Sequence, residues 1–121
     1  MKQKFLWLWG FILISCSETT IQGFDSQSWK SDRMGCRGLR MQLLSHFQAH
    51  KEKFLNLSEK QLLDILGKPD KIELAQRNQR FFYYFVEKGS QCDSSFSRPG
   101  RHVVIRINSI EIVNEINIPP L

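Results

Sequence analysis

The order of hydrophobic and polar residues divides the chain into parts with different periodicities. Residues 5–14 are almost entirely apolar, and the Ser/Thr-rich stretch at residues 17–31 has no regular period. Between residues 38 and 55 the apolar side chains recur at helical spacing. After Pro69 they alternate with polar residues, as the two faces of a strand require. The pattern therefore predicts helices first and strands afterwards.

Two helices are predicted in the first half of the chain. The first covers residues 38–55, where one side is apolar and the other polar. The apolar residues expected to face the core are Leu39, Leu43, Leu44, Phe47 and Phe54. The second helix begins at Ser58, whose side chain can act as N-cap while Gln61 completes a capping box. It ends at Gly67, because Pro69 cannot continue a helix.

Four later stretches have the composition of strands. They are residues 71–75, 80–87, 102–108 and 110–118. In the last stretch, alternation predicts Ile110, Ile112, Ile116 and Ile118 on one face and Glu111, Val113, Glu115 and Asn117 on the other. Separate runs of helices and strands predict an α+β fold. We expect two N-terminal helices packed on a three- to four-stranded antiparallel sheet, an ααβββ two-layer domain.

The N terminus has the parts of a bacterial secretory signal in their usual order. Two lysines precede the apolar residues 5–14, which are too few to span a bilayer as a helix. The sequence Leu-Ile-Ser-Cys that follows resembles a lipobox, in which the signal is removed and the cysteine is acylated. We therefore expect residues 1–15 to be a lipoprotein signal peptide and Cys16 to carry the lipid. Residues 16–31 are expected to form a flexible tether, and residues 32–121 a single domain.

A lipoprotein signal has two alternatives at this N terminus. One is an uncleaved N-terminal anchor, and the second is an ordinary secretory signal with a chance cysteine. Both of them also export the chain. Ser17 is not the aspartate that retains lipoproteins in the inner membrane of well-studied Gram-negative bacteria. The sequence therefore favours a lipid-anchored protein of the bacterial cell envelope, in the outer membrane.

The charge of the chain does not indicate a nucleic-acid partner. The chain has 17 Lys and Arg against 12 Asp and Glu, and two of the lysines lie in residues 1–15, so the mature chain carries a net charge of +3. The basic residues are scattered along the sequence and form no basic arm. We therefore expect no nucleic-acid binding, and contact with the membrane through the N-terminal lipid.

The cysteine count predicts one disulfide. If Cys16 takes the lipid, Cys36 and Cys92 remain in an exported domain, and the bacterial periplasm is oxidising. The alternative is a pair of buried free thiols. The chain has no C-x-x-C pair, so thiol redox catalysis is not indicated.

The sequence carries no recognisable catalytic or metal-binding constellation. His46 and His50 have the spacing of a helical metal pair, but the glutamate of the H-E-x-x-H pattern is missing between them. Two solvated helix histidines would have the same spacing. No glycine-rich phosphate loop and no nucleophile-elbow pattern is present. We therefore expect a protein that is not an enzyme and that holds no metal or cofactor.

The aromatic strand at residues 80–87 supplies the candidate partner-binding residues. They are Phe82, Tyr83, Tyr84 and Phe85. Because neighbouring strand residues project to opposite faces, Phe81, Tyr83 and Phe85 share one face and Phe82, Tyr84 and Val86 the other. One face can pack on the helices, which leaves the other for a partner. The alternative is that loops, the tether or the disulfide segment cover that second face.

Four features resemble the SmpA/OmlA family of outer-membrane lipoproteins, the BamE type. They are the cap at Ser58, Leu-Gly-Lys-Pro at residues 66–69, Phe-Tyr-Tyr at residues 82–84 and Ile-Arg-Ile-Asn at residues 105–108. The resemblance covers residues 57–118 and agrees with the lipoprotein signal. It implies an accessory subunit of the machine that inserts β-barrels into outer membranes. Its partners would then be envelope or barrel-assembly proteins.

Three hypotheses of function follow from these observations. The first is a lipid-anchored envelope protein that binds or scaffolds other proteins without catalysing a reaction. The second is a secreted inhibitor-like module that blocks an enzyme through the same aromatic face. The third is an envelope domain that senses a ligand such as a cell-wall or lipid fragment.

Overall fold

The computed structural model describes residues 18–120, which form a helical layer and one four-stranded sheet. The helices are α1 (Ser26–Ser31), α2 (Leu39–Ala49), α3 (Lys51–Phe54) and α4 (Glu59–Leu66). The strands are β1 (Lys71–Leu74), β2 (Arg80–Phe85), β3 (His102–Ile107) and β4 (Val113–Asn117). Two 3₁₀ turns, Arg33–Gly35 and Gln76–Asn78, connect these elements. The predicted α+β fold, with helices before strands, is confirmed.

Helix α4 begins and ends where the sequence predicts. The Ser58 hydroxyl accepts from the backbone N–H of Gln61 at 3.1 Å, and the Gln61 side chain accepts from the backbone N–H of Ser58 at 2.9 Å. This is the predicted capping box. Gly67 ends the helix with a φ of 75°, a value that glycine adopts without strain. Leu62, Ile65 and Leu66 are fully buried along the inward side.

The long helix predicted over residues 38–55 is two helices. The break lies at His50, whose backbone (φ −104°, ψ 9°) belongs to neither α2 nor α3. The apolar pattern did not reveal the break, because Phe47 and Phe54 both reach the core on either side of it. Their ring centroids are 4.6 Å apart.

The sheet is an antiparallel meander in the order β1-β2-β3-β4. Phe82 pairs with Ile105 and Tyr84 with Val103, and all four residues are at most 1 % exposed. These side chains join the buried helical residues in one core cluster. We call this side of the sheet the inner face.

Strand β4 does not alternate as predicted. Val113 and Ile116 are both buried, at 0 % and 2 % exposure, whereas Ile110 is 74 % exposed. The ladder pairs Ile107 with Val113 but Arg106 with Glu115, so Asn114 is one extra residue in β4. A bulge of this kind shifts the residues on its two sides onto different faces. The prediction that Val113 lies opposite the isoleucines is therefore wrong.

The segment predicted as a flexible tether is folded from residue 21 onward. Ile21, Phe24 and Trp29 belong to the core cluster, and Trp29 in α1 is completely buried. The Trp29 ring stacks on Phe47 with centroids 5.2 Å apart. Because three large apolar side chains are buried here, the domain begins well before residue 32. The tether prediction is wrong for this part of the chain.

A buried ion pair joins the helical layer to the start of the sheet. Arg40 Nη1 in α2 donates to Asp70 Oδ2 at 2.6 Å, and neither side chain is exposed to solvent. The Asp70 carboxylate also accepts from the backbone N–H groups of Met34 and Phe85, at 3.2 and 2.9 Å. Asp70 directly precedes β1. Through these bonds it joins the 3₁₀ turn Arg33–Gly35, helix α2 and the end of β2.

The Arg40 guanidinium is enclosed by further polar and aromatic groups. Its Nε donates to the Trp29 carbonyl at 2.9 Å, and its Nη1 donates to the Phe85 carbonyl at 3.0 Å. Its centre lies 5.2 Å from the Trp29 ring and 5.7 Å from the Tyr84 ring. These contacts offset part of the cost of removing the charge from water, although Arg40 Nη2 is buried with no hydrogen-bond partner among the described residues. The hydrophobic pattern did not predict this residue.

The predicted disulfide between Cys36 and Cys92 is present, with the two Cα atoms 5.7 Å apart. It joins the segment before α2 to the long connection between β2 and β3. The two cysteines are 56 positions apart in the sequence, so this is a long-range crosslink.

Reducing this disulfide should lower the free energy of unfolding by about 2–4 kcal/mol, because the unfolded chain regains the freedom of a long loop. Thermal melts with and without reductant measure the effect. A double variant, Cys36→Ala with Cys92→Ala, is the control and should not respond to reductant. Labelling of both thiols in freshly purified, unreduced protein would contradict the bridge.

Candidate functional site

The second face of the sheet carries the candidate functional surface. Because side chains alternate along strands, one residue set from all four strands lies opposite the inner face. We call it the outer sheet face: Lys71, Glu73, Phe81, Tyr83, Phe85, His102, Val104, Arg106, Glu115 and Asn117. None of these residues belongs to the core cluster of the described chain.

Tyr83 lies in a central strand of this face and is half-buried. Its hydroxyl donates to Glu73 Oε2 at 2.6 Å, and Lys71 Nζ lies 3.0 Å from Glu73 Oε1. The Tyr83 ring also meets His102 edge-on, with centroids 5.1 Å apart, and Lys71 Nζ lies 5.2 Å from its centroid. These contacts hold the ring in one orientation on the surface.

The protonation states of this group follow from the same hydrogen bonds. The bond from the Tyr83 hydroxyl, followed by the one from Lys71, holds the pKa of the Glu73 carboxyl below its usual value. The Tyr83–Glu73 bond raises the pKa of the Tyr83 phenol. At neutral pH the outer sheet face therefore presents a carboxylate beside a neutral phenol. The hydrogen bond between them helps to fix the position of the Tyr83 ring.

Phe81 and Arg106 form a second group beside Tyr83. The Arg106 guanidinium lies 5.9 Å from the Phe81 centroid and 3.5 Å from the Glu115 carboxylate. Its Nε donates to the Gln79 side chain at 2.7 Å. Aromatic residues and arginine are enriched at protein–protein interfaces.

The structure divides the four predicted binding residues between the two faces. Phe82 and Tyr84 are 1 % and 0 % exposed on the inner face and cannot reach a partner. The Tyr84 hydroxyl donates to the Gly67 carbonyl at 2.8 Å, and burial raises the pKa of this phenol. Phe85 lies on the outer sheet face but is only 9 % exposed. Tyr83 is the predicted residue that remains accessible.

Two ring-bearing residues outside the predicted set, Phe81 and His102, also belong to the surface. Phe81 and His102 are both half-buried on the outer sheet face. Phe81 shares a face with Tyr83 by simple alternation, so the sequence contained this signal. His102 had no such signal, because its place beside Tyr83 and Phe85 depends on the register between β2 and β3.

No family model, curated protein or solved structure matches this chain. Cys16, the predicted lipidation site, lies outside the described residues.

The remaining candidate sites offer little chemistry. Within residues 18–120, no group of three histidine, cysteine or acidic residues is placed to hold a metal ion. His50 Nδ1 lies 2.7 Å from the His46 carbonyl, so this nitrogen already has a hydrogen-bond partner at the end of α2. Over the same residues, no helix has the length and hydrophobicity needed to cross a membrane.

An open depression lies where the β1–β2 and β3–β4 turns meet. Leu74, Asn78, Arg80 and Glu111 are among its lining residues. Arg80 Nη2 is 2.6 Å from Glu59 Oε2, so its charge is already paired. The depression therefore offers no free cation to a ligand.

Proposed function

We propose that the protein is a lipid-anchored component of the bacterial cell envelope that binds another protein through its outer sheet face. The observation that supports this most strongly is the oriented aromatic pair Phe81 and Tyr83, which sits among charged residues outside the core. Aromatic side chains held in one orientation lose little entropy on binding and are frequent hot spots. The residues required for this function are binding residues, and no catalytic step is proposed.

The contacts of Thr19 and Ile21, close in sequence to Cys16, support a domain held close to the membrane. The Thr19 backbone N–H donates to Asp64 Oδ2 on α4 at 3.3 Å, and Ile21 is buried. Consecutive Cα atoms are about 3.8 Å apart, so a lipid on Cys16 would be within roughly 11 Å of Thr19. An anchored domain would then have little freedom to move away from the bilayer or to reorient.

The resemblance to BamE-type lipoproteins suggests barrel-assembly proteins as the partners. Purification of the full chain from detergent-solubilised membranes, followed by identification of the retained proteins, tests this. We expect barrel-assembly subunits to be retained with the native chain and lost with Tyr83→Ala. Retention of a hydrolase instead would favour the inhibitor-like module, and retention of no protein would contradict protein binding.

Replacing Cys16 by alanine should abolish lipid labelling and leave an uncleaved or mislocalised product. The reason is that the thiol is the only acyl acceptor at the predicted cleavage boundary. Metabolic labelling with a fatty acid, together with membrane fractionation, measures this. Ser17→Ala is the matched control and should be labelled normally. Normal processing and membrane association of Cys16→Ala would overturn the lipoprotein assignment.

A further inference from the structure

Strand β1 is an edge strand that exposes two large apolar side chains. It lies at one end of the strand order, and all four of its residues are exposed. Ile72 and Leu74 are 52 % and 82 % exposed. Exposed edges with large apolar side chains invite pairing with another strand, and proteins usually protect them.

The opposite edge of the sheet, strand β4, is protected against pairing with a further strand, unlike β1. Strand β4 contains the bulge at Asn114, and Pro119 and Pro120 follow it. Bulges and prolines both prevent a further strand from pairing. Strand β1 contains no proline, and its charges are one lysine and one glutamate rather than a run of one sign.

The hydrogen-bond phase of β1 shows which residues face the free edge. The backbone N–H of Ala75 donates to the Gln79 carbonyl at 2.8 Å, in register with the pairing of Leu74 with Arg80. In an antiparallel pair such bonding alternates between successive residues. Glu73 and Lys71 therefore direct their backbone groups toward β2. Ile72 and Leu74 direct theirs toward the open edge.

We propose that two copies of the chain pair antiparallel through β1, with the two-fold axis at Ile72. In this register Ile72 meets Ile72 of the second copy, and their outward-directed backbone groups form a hydrogen-bonded pair. Lys71 then lies opposite Glu73 of the other copy, twice by symmetry. Lys71 and Glu73 share the outer sheet face, so opposite charges meet directly.

The neighbouring registers are less favourable. A shift of the axis to Glu73 pairs Ile72 with Leu74 but places Glu73 opposite Glu73, and a shift to Lys71 places Lys71 opposite Lys71. Like charges directly opposite each other are destabilising. The charges of β1 therefore favour the arrangement with the axis at Ile72. A second copy therefore matches this edge in three ways. Lys71 meets Glu73, the free backbone groups of Ile72 can bond to each other, and the two Ile72 side chains are in contact.

The pairing would join two outer sheet faces into one surface. The sheet would continue from four strands in one copy to four in the next, with both Tyr83 rings on the same side. The contact covers only four residues in each copy, so the dimer would be weak in solution. This arrangement does not depend on the lipid anchor or on the proposed partner.

Cysteine crosslinking in the full chain, purified in mild detergent, tests the register. With Ile72→Cys, the two Cα atoms would be about 5.5 Å apart, which a disulfide can bridge. With Glu73→Cys as matched control, the two sites are offset by about 7 Å along the strands before the strand spacing is added, which is too far. We expect covalent dimers on mild oxidation from Ile72→Cys, and only the background of the parent chain from Glu73→Cys.

Charge exchange tests the same pairing without a crosslink. Lys71→Glu should lower the dimer population roughly tenfold, because two attractive cross-strand pairs become repulsive. The double variant Lys71→Glu with Glu73→Lys should recover it. Sedimentation measures the dimer population of both variants, and an unchanged circular dichroism spectrum shows that the variants fold.

Failure of Ile72→Cys to crosslink, equal crosslinking by Glu73→Cys, or no recovery of the dimer in the double variant would overturn the proposal. If the native chain carried no lipid but still formed dimers, only the proposed lipid anchor would be contradicted.

Discussion

Replacing Arg40 by alanine should lower the free energy of unfolding by about 3–5 kcal/mol, because it removes the buried cation that contacts the Asp70 carboxylate and leaves only the exposed Arg33, 4.0 Å away. Both side chains of the pair are completely shielded from solvent. The change also removes the hydrogen bond to the Trp29 carbonyl and the contact with the Trp29 ring. Urea unfolding of the native chain and the variant measures the difference.

Arg106→Ala is the matched control for this prediction. Arg106 also pairs with a carboxylate, but it and Glu115 are 37 % and 50 % exposed. Exposed ion pairs contribute about 0–1 kcal/mol, so this variant should unfold almost like the native chain. If Arg40→Ala lost no more stability than Arg106→Ala, the Arg40–Asp70 pair would not organise the core as described.

Alanine replacements of Tyr83 and Tyr84, which are adjacent, should have opposite consequences. Tyr84 is fully buried and contacts Trp29, so Tyr84→Ala should lower the free energy of unfolding by about 3–5 kcal/mol. Tyr83 lies on the outer sheet face, so Tyr83→Ala should leave folding nearly intact. If Tyr83 is a hot spot, the same change should weaken partner binding by about 2 kcal/mol or more.

A melt and a pull-down on each variant measure this pair of effects. Tyr83→Phe is a useful third variant, because it keeps the ring and removes only the hydroxyl that donates to Glu73. If the ring makes the contact, Tyr83→Phe should bind nearly as well as the native chain. If Tyr83→Ala retained full binding, the partner would have to use another surface.

Local sequence signals were sufficient for the elements with strong boundaries. The capping box at Ser58 and the glycine at residue 67 located α4. The aromatic and β-branched runs located β2 and β3 to within a few residues. The two cysteines left after Cys16 were enough to predict the disulfide. Each of these signals is short-range or depends on a count, so no tertiary information was needed.

Features that depend on distant contacts could not be predicted. Trp29 lies in a polar, aperiodic stretch, and its burial depends on Phe47 in a helix that follows later. The bulge at Asn114 is a mismatch between two strands, so neither strand shows it alone. Arg40 is buried because Asp70 is placed beside it by the turn before β1. In each case the deciding partner is remote in sequence.

The candidate site was only partly predicted, because its residues are also determined by contacts that are distant in sequence. Both faces of β2 are aromatic, so the sequence could not decide whether Tyr83 or Tyr84 points inward. The helical layer decides it by covering Phe82 and Tyr84. Two of the four predicted binding residues were therefore core residues, and the surface instead includes Phe81.

Site-specific photo-crosslinking from the outer sheet face tests the proposed function most directly. A photoreactive residue at Phe81 in the full chain, activated in living cells that produce it, should give a discrete adduct with an envelope protein. The same residue at Gln48, which is exposed on α2, is the control and should not give that adduct. Adding Tyr83→Ala should remove the adduct from Phe81. Absence of any adduct from Phe81, or the same adduct from Gln48, would contradict binding through this face.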